Sequence, residues 1–269
     1  MAEPSIPPTP SNDLDDLRAR IDHLDAALIA IVAERLAVCR AVAGVKQQSH
    51  TPVIQPNRVR DVVTSRRRQA IEAGVDADFA EQLFRVLLTE THRIEVAGRR
   101  PDPAPDKQAL GAGSSGLDTV ASRVDHVVVA VPDLDTAVAS MVRRFGFHEV
   151  PLASAHNGMA AVSAGGVTFV LVSPTASPAA ARYVEQHGGG VQHVALEVLN
   201  AGYARACLAE GGAPLLTDVV VNDDGHEQFF AADDPATGLQ LGFISRTGHR
   251  VGVSATNVLA LFDTLDQHR

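Results

Sequence analysis

The sequence predicts a multidomain protein: an all-α domain of three helices, followed by an α+β domain of two βαβββ modules. Three observations predict it. Apolar residues recur at alternating steps of three and four from Leu14 to Val45, and two shorter helical patterns follow. A Pro-, Gly- and Ser-rich stretch, GRRPDPAPDKQALGAGSSG, then separates this half from the rest. Beyond it, Val124–Val131 and Val191–Val198 read as matching strands, with His126 and His193 in register at a spacing of 67 residues. The expected segments are a disordered Pro-rich terminus at 1–10, a helical domain at 11–97, a linker at 98–121 and the duplicated domain at 122–269.

The chain has 269 residues, enough for two cores, with 45% hydrophobic residues and a net charge of −9. The charge is uneven. Residues 11–100 hold 14 Lys and Arg against 13 Asp and Glu, so the acidic excess lies beyond residue 100. That distribution suits a small anionic ligand in the helical half. It disfavours nucleic acid or an acidic membrane as a partner of the whole chain. Cys39 and Cys207 are the only cysteines, too few for a disulfide framework. The first ten residues lack the basic start and apolar core of a signal peptide, and no apolar run is long enough to span a bilayer. A reducing cytoplasm is the expected location.

Ser11, Asn12 and Asp13 offer N-caps for the first helix, whose seam is Leu14, Leu17, Ile21, Leu24, Leu28, Ile31, Val38, Val42 and Val45. Between Ile31 and Val38 the seam position falls on Arg35. A guanidinium on an apolar stripe needs an anion. Two readings stand: a structural ion pair, or a ligand site. Lys46, eleven residues on, lies about 20° around the helix and about 16 Å along it, so both side chains can bend toward one small anion. Arg18, seventeen residues before Arg35, is about 25 Å away and cannot share that site within one helix. His50-Thr51-Pro52 stops the helix. A second helix starts near Asn57 and carries Arg66-Arg67-Arg68, read as a solvated face. Gly74 ends it. Asp76 to Asp78 cap a third, with Phe79, Leu83, Val86, Leu87, Thr91 and Ile94 at helical spacing. In the second half, 134–145 and 201–209 read as helices. Strands are expected at 160–163, 167–172, 217–221, 227–231 and 239–245.

Leu17-Arg18-x-x-Ile21-Asp22-x-x-Asp25, Ala33-Glu34-Arg35, Lys46, Pro52-Val53, Arg58 and Leu83-Phe84 resemble the motifs of the AroQ class of chorismate mutases. The resemblance covers residues 13–97. It implies three helices per chain interlocked in a homodimer, with each site taking one Arg from the partner, which answers the Arg18 distance. It implies a Claisen rearrangement of a small dianionic substrate, with no metal or covalent catalysis, driven by a held conformer and charge stabilisation at the breaking ether. By similarity Arg18 and Arg35 grip carboxylates, Lys46 donates to the ether oxygen, Arg58 closes the site, and Thr91 sits beside the substrate. Glu95 stands where the family usually has Gln as a second ether donor, and can donate only if protonated.

Two departures bear on the substrate. Val59 follows the second-helix Arg where mutases acting on chorismate have Glu, and Gln55 replaces the usual loop Asp. The string Ile54-Gln55-Pro56-Asn57-Arg58-Val59, with Thr89-Glu90-x-x-Arg93-x-Glu95, resembles the 4-amino-4-deoxychorismate mutases. Isochorismate-pyruvate lyases share Val at the Val59 position and are the alternative.

The second half resembles the vicinal oxygen chelate superfamily. Phe169–Pro174, His187–His193 and Arg246-Thr-Gly248 are similar to the iron-free half of the 4-hydroxyphenylpyruvate dioxygenase type. Metal sites of the superfamily use His at the positions of His126 and His193 plus carboxylates from later strands. Here those places are apolar, near Val170 and Gly242, so no metal or other cofactor is expected. Asp223-Asp224-Gly225-His226-Glu227 could lend a carboxylate but reads more simply as a turn. The rivals are a bifunctional enzyme with an iron dioxygenase or epimerase module, and a non-catalytic ligand-binding protein.

Overall fold

The computed structural model describes residues 14–49, 51, 55–96, 117, 120–152, 156–221, 225–246 and 253–267. The expected terminus at 1–10, the caps at 11–13, His50, Pro52-Val53-Ile54, nearly all of the 98–121 linker, Asp223-Asp224 and Thr247-Gly248 lie outside them. The chain forms two compact units, Met1–Thr51 and Pro52–Arg269. By their contacts the second and third helices group with the sheet.

The first unit is one helix, α1 (Leu14–Ser49), in which no residue is buried. Its predicted seam is regular and uncovered: Leu14, Leu17, Ile21, Leu24, Leu28, Ile31, Val38, Val42 and Val45 are 40–64% exposed. A helix of this length gains little from propensity and needs its apolar stripe packed.

In the second unit, α2 (Pro56–Glu72) begins one residue before the expected start, with Pro56 in the first turn and Gln55 at the N-cap position. Gly74 follows its end at φ +73°, a left-handed turn that glycine takes without strain. Asp76 Oδ1 accepts from Phe79 N at 2.8 Å and opens α3 (Ala77–Val96). The arginine run is not a bare solvated face. Arg67 pairs with Asp78 at 2.6 Å and Glu81 at 2.7 Å, and Arg66 sits 5.5 Å over the Phe84 ring, so the run ties the helical hairpin together.

The sheet has eight strands: β1 (Ala121–Ala130), β2 (His148–Val150), β3 (Met159–Ala164), β4 (Val167–Val172), β5 (Gly190–Val198), β6 (Val220–Val221), β7 (Glu227–Phe230) and β8 (Leu241–Ser245), in the order β2-β3-β4-β1-β5-β8-β7-β6. The duplication is plain in this order. Strands β1 and β5 pair antiparallel at the centre, and each pairs in parallel with the last strand of its own module, β4 or β8. Helices α4 (Leu134–Phe145) and α6 (Ala201–Glu210) complete the modules, capped by Asp133 and Asn200.

Beyond the expected elements the fold adds β2, α5 (Pro178–His187) and α7 (Ala255–Gln267). Strand β6 is shorter than 217–221, and β8 begins only after the turn at Asp234–Gly238. Two cores result. Val128, Val170 and Val172 of the sheet pack against Ala179 and Ala180 of α5 and Val258, Leu259 and Phe262 of α7. The second gathers Val198, Leu199, Tyr203, Phe229 and Phe243, with Val59 of α2 packed on it.

Candidate active site

The residues expected to handle substrate fall in both units. On α1, Arg18 is exposed and pairs with Asp15 at 3.3 Å, a surface contact of little energetic weight. Arg35 is half-buried, with Nη1 3.9 Å from Cys39 Sγ one turn on. Lys46 is half-buried in the last turn, where a cation complements the helix dipole.

In the second unit, Gln55 and Arg58 are exposed at the start of α2. Thr91 Oγ1 donates to Leu87 O at 2.7 Å, and Glu95 is buried at 7% exposure on the same side of α3. Thr91 and Glu95 are one turn apart, about 40° around the helix. Val59 does something sequence reasoning missed. It packs on the core of the sheet domain and, with Arg85, Leu88, Thr89, Ala121, Ser122 and Leu199, lines a cavity too small for more than a water molecule. A valine at this position therefore has a packing reason: its side chain adds to an apolar core.

Another side of α3 is bound to the sheet. Arg85, Thr89 and Arg93 stand at successive turns. Arg85 Nη1 donates to Ala121 O at 3.5 Å, and the hydroxyls of Thr89 and Ser122 meet at 2.8 Å. Arg93 Nη2 donates to Glu197 Oε1 at 2.5 Å. Glu197 also accepts from Arg123 Nε at 2.6 Å, its cross-strand neighbour in the β1–β5 register. Glu197 is 1% exposed, a carboxylate out of water between two guanidinium groups. The signal was present in the sequence: Arg123, Asp125 and Glu197 put charges into otherwise apolar strands.

Between the two modules, the rings of His126 and His193 lie 5.8 Å apart, edge to face. They line a cavity of about 10 Å³ together with Gln228, Phe230, Gly242 and α7 residues Asn257 and Val258. That volume takes about one water. His126 Nδ1 donates to Asp125 Oδ2 at 2.7 Å, and Arg246 clamps the same carboxylate through Nε at 2.8 Å and Nη2 at 2.7 Å. Burial pushes the Asp125 carboxyl up. The hydrogen bonds from His126 and Arg246 and the Arg246 charge outweigh it and hold the group well below the usual carboxylate range. Burial, then the nearby His126, holds the His193 imidazole well below its ordinary value, so it is neutral.

The pair is oriented as metal-binding histidines often are, through Nδ1. Among the described residues the rest of a metal set is missing. In the parallel registers, Val170 pairs with Val128, two residues after His126, and Gly242 pairs with Ala195, two residues after His193. The two positions are equivalent, and neither carries a carboxylate. At Gly242 a Cβ would lie 3.0 Å from the Phe230 ring and 3.3 Å from the His193 ring. Among the described residues no group of three or more His, Cys, Asp or Glu could hold a metal ion. A divalent cation does not fit this donor set.

The fold defines a class, three helices followed in sequence by a duplicated βαβββ sheet. Residues 17–96 match the family model of chorismate mutase type II, and residues 125–230 that of the glyoxalase/bleomycin resistance protein/dioxygenase superfamily. The 4-amino-4-deoxychorismate mutase of Streptomyces pristinaespiralis is 35% identical over 117 residues, 39% of this chain and 91% of that protein. The enzyme of the same name from Streptomyces venezuelae is 34% identical over 102 residues, 37% of this chain and 99% of that protein. The T-protein of Haemophilus influenzae is 38% identical over 82 residues, but these make up only 22% of that protein. Methylmalonyl-CoA epimerase from Mycobacterium tuberculosis aligns with a TM-score of 0.40 at 19% identity, over 52% of this chain and 95% of that one. The chain belongs to the chorismate mutase type II family, and it is an isomerase.

Proposed function

We propose that the protein rearranges 4-amino-4-deoxychorismate to 4-amino-4-deoxyprephenate. The observation that carries this reading is the match to two 4-amino-4-deoxychorismate mutases over 91% and 99% of their lengths. Isochorismate pyruvate lyase of Pseudomonas aeruginosa, at 31% identity over 79% of its length, keeps the lyase as the second reading.

In the proposed mechanism the dicarboxylate substrate is held in a compact conformer, and the new carbon–carbon bond forms as the ether carbon–oxygen bond breaks. Arg35 and a second copy's Arg18 grip the two carboxylates. Lys46 donates to the ether oxygen as negative charge builds there, which is where a fixed cation lowers the barrier. Arg58 closes over the substrate, with Gln55 and Thr91 as polar neighbours. Glu95 either donates to the ether oxygen as the acid or, ionised, pairs with the 4-ammonium group. Val59 serves packing rather than substrate contact. No metal or other cofactor takes part. The exposed seam of α1 supports a homodimer built on this helix, since a second copy offers the same stripe.

The test offers chorismate, isochorismate and 4-amino-4-deoxychorismate side by side and identifies the products by proton NMR. The reading expects amino-deoxyprephenate as the main product. Release of pyruvate from isochorismate as the preferred reaction would establish the lyase instead.

A further inference from the structure

We propose that the sheet domain is a positioning element of the mutase, acting through Glu197 held between Arg93 and Arg123. This rests on the reading of α3 as a substrate-facing helix. Arg93 lies two residues from both Thr91 and Glu95, about 200° around the helix from each. Thr91 and Glu95 thus point away from Arg93, and lie about 160° and about 120° around the helix from Thr89. The side that carries Arg85, Thr89 and Arg93 is fastened at three successive turns, to Ala121, to Ser122 and to Glu197. Only the last fastening is ionic and out of water. Glu197 accepts from α3 on one oxygen and from β1 on the other, at 2.5 and 2.6 Å.

That arrangement fixes more than contact. One carboxylate with both oxygens engaged sets the distance and rotation of α3 against the sheet, because any shift of the helix stretches a short charged bond. The neighbouring Asp125 continues the network. It is 3.5 Å from Arg123 and doubly bonded to Arg246, so Arg123 is itself held in place. A catalytic group displaced by about 1 Å can lose about 10²-fold in rate, so a brace on the back of α3 has a direct consequence for Thr91 and Glu95 on its front. It also gives the metal-poor sheet domain a role that needs no ligand of its own. Arg93, Glu197 and Arg123 are positioning residues and touch no substrate.

The experiment uses the full chain in three variants, Glu197→Gln, Arg123→Met and Arg123→Lys, with melting checked so that assays run well below unfolding. Amide exchange of residues 85–96 by mass spectrometry reports the brace, and kcat and KM report its effect. Glu197→Gln leaves two guanidinium groups facing a neutral amide and is the variant at risk of misfolding; Arg123→Met, on a half-exposed strand position, keeps the proposal testable in that case. The expected result is exchange in α3 faster by about 10-fold and kcat lower by about 10-fold, with KM within about threefold. Arg123→Lys should recover part of both. Unchanged exchange, or faster exchange with wild-type kcat in a folded variant, overturns the proposal. Wild-type protein without turnover on any of the three substrates would instead sink the mutase reading, and the exchange arm would still decide whether the brace exists.

Discussion

Val59 of α2 and Leu199 of the sheet domain line the same small cavity, and Val59 packs on the core that contains Leu199. The pair links a residue of the mutase motif to the interior of another fold. Val59→Glu restores the residue typical of mutases acting on chorismate, yet places a charge against an apolar core. It should cost about 2–4 kcal/mol of stability, read as a lower melting temperature, and should not improve turnover of chorismate. Unchanged melting with better chorismate turnover would return Val59 to the substrate site.

How much of this was readable beforehand depends on where the information sits. The seam of α1 and the 67-residue repeat are periodic, so sequence alone carries them. The helices at Pro178–His187 and Ala255–Gln267 lie outside the βαβββ repeat, so the repeat gives no sign of them. The role of Val59 could not be read, because it depends on which surface α2 meets. Glu197 showed only as a charge in an apolar strand. Its two partners come from α3 and β1, and no local pattern joins them.

If sites are shared between copies, inactive variants should complement. Arg18→Ala and Arg35→Ala are each expected to lose most turnover. Unfolding and refolding them together should regenerate about a quarter of the sites of the wild type, because only one site per heterodimer, in half of the dimers, is intact. No recovery in verified heterodimers would show that Arg18 and Arg35 do not serve one site.

Glu95 separates two chemistries. If it donates a proton-bearing oxygen to the ether, Glu95→Gln supplies an equivalent donor and keeps turnover equal or better. Loss of activity in a folded Glu95→Gln protein would favour the ionised carboxylate as the partner of the 4-ammonium group.

His193 makes the sheet domain acid-sensitive. Its imidazole is buried and held well below its ordinary value of 6.5, so below that pH the unfolded chain takes up a proton that the folded chain does not. Stability is therefore full above about pH 6.5 and declines as pH falls beneath it. Asp125, held low, adds a further loss in the ordinary carboxylate range. Melting temperature followed from pH 8 to pH 5 should drop, and His193→Gln should flatten the part of the slope between pH 6.5 and 5. An identical slope in that variant would assign the titration to another group.

The central claim is that cations on α1 stabilise charge in the rearrangement, and Lys46→Ala tests it most directly. Single-turnover rates with saturating 4-amino-4-deoxychorismate should fall by about 10²–10³-fold or more, while far-ultraviolet circular dichroism and sedimentation match the wild type. Turnover within a few-fold of wild type in that folded variant would contradict the account.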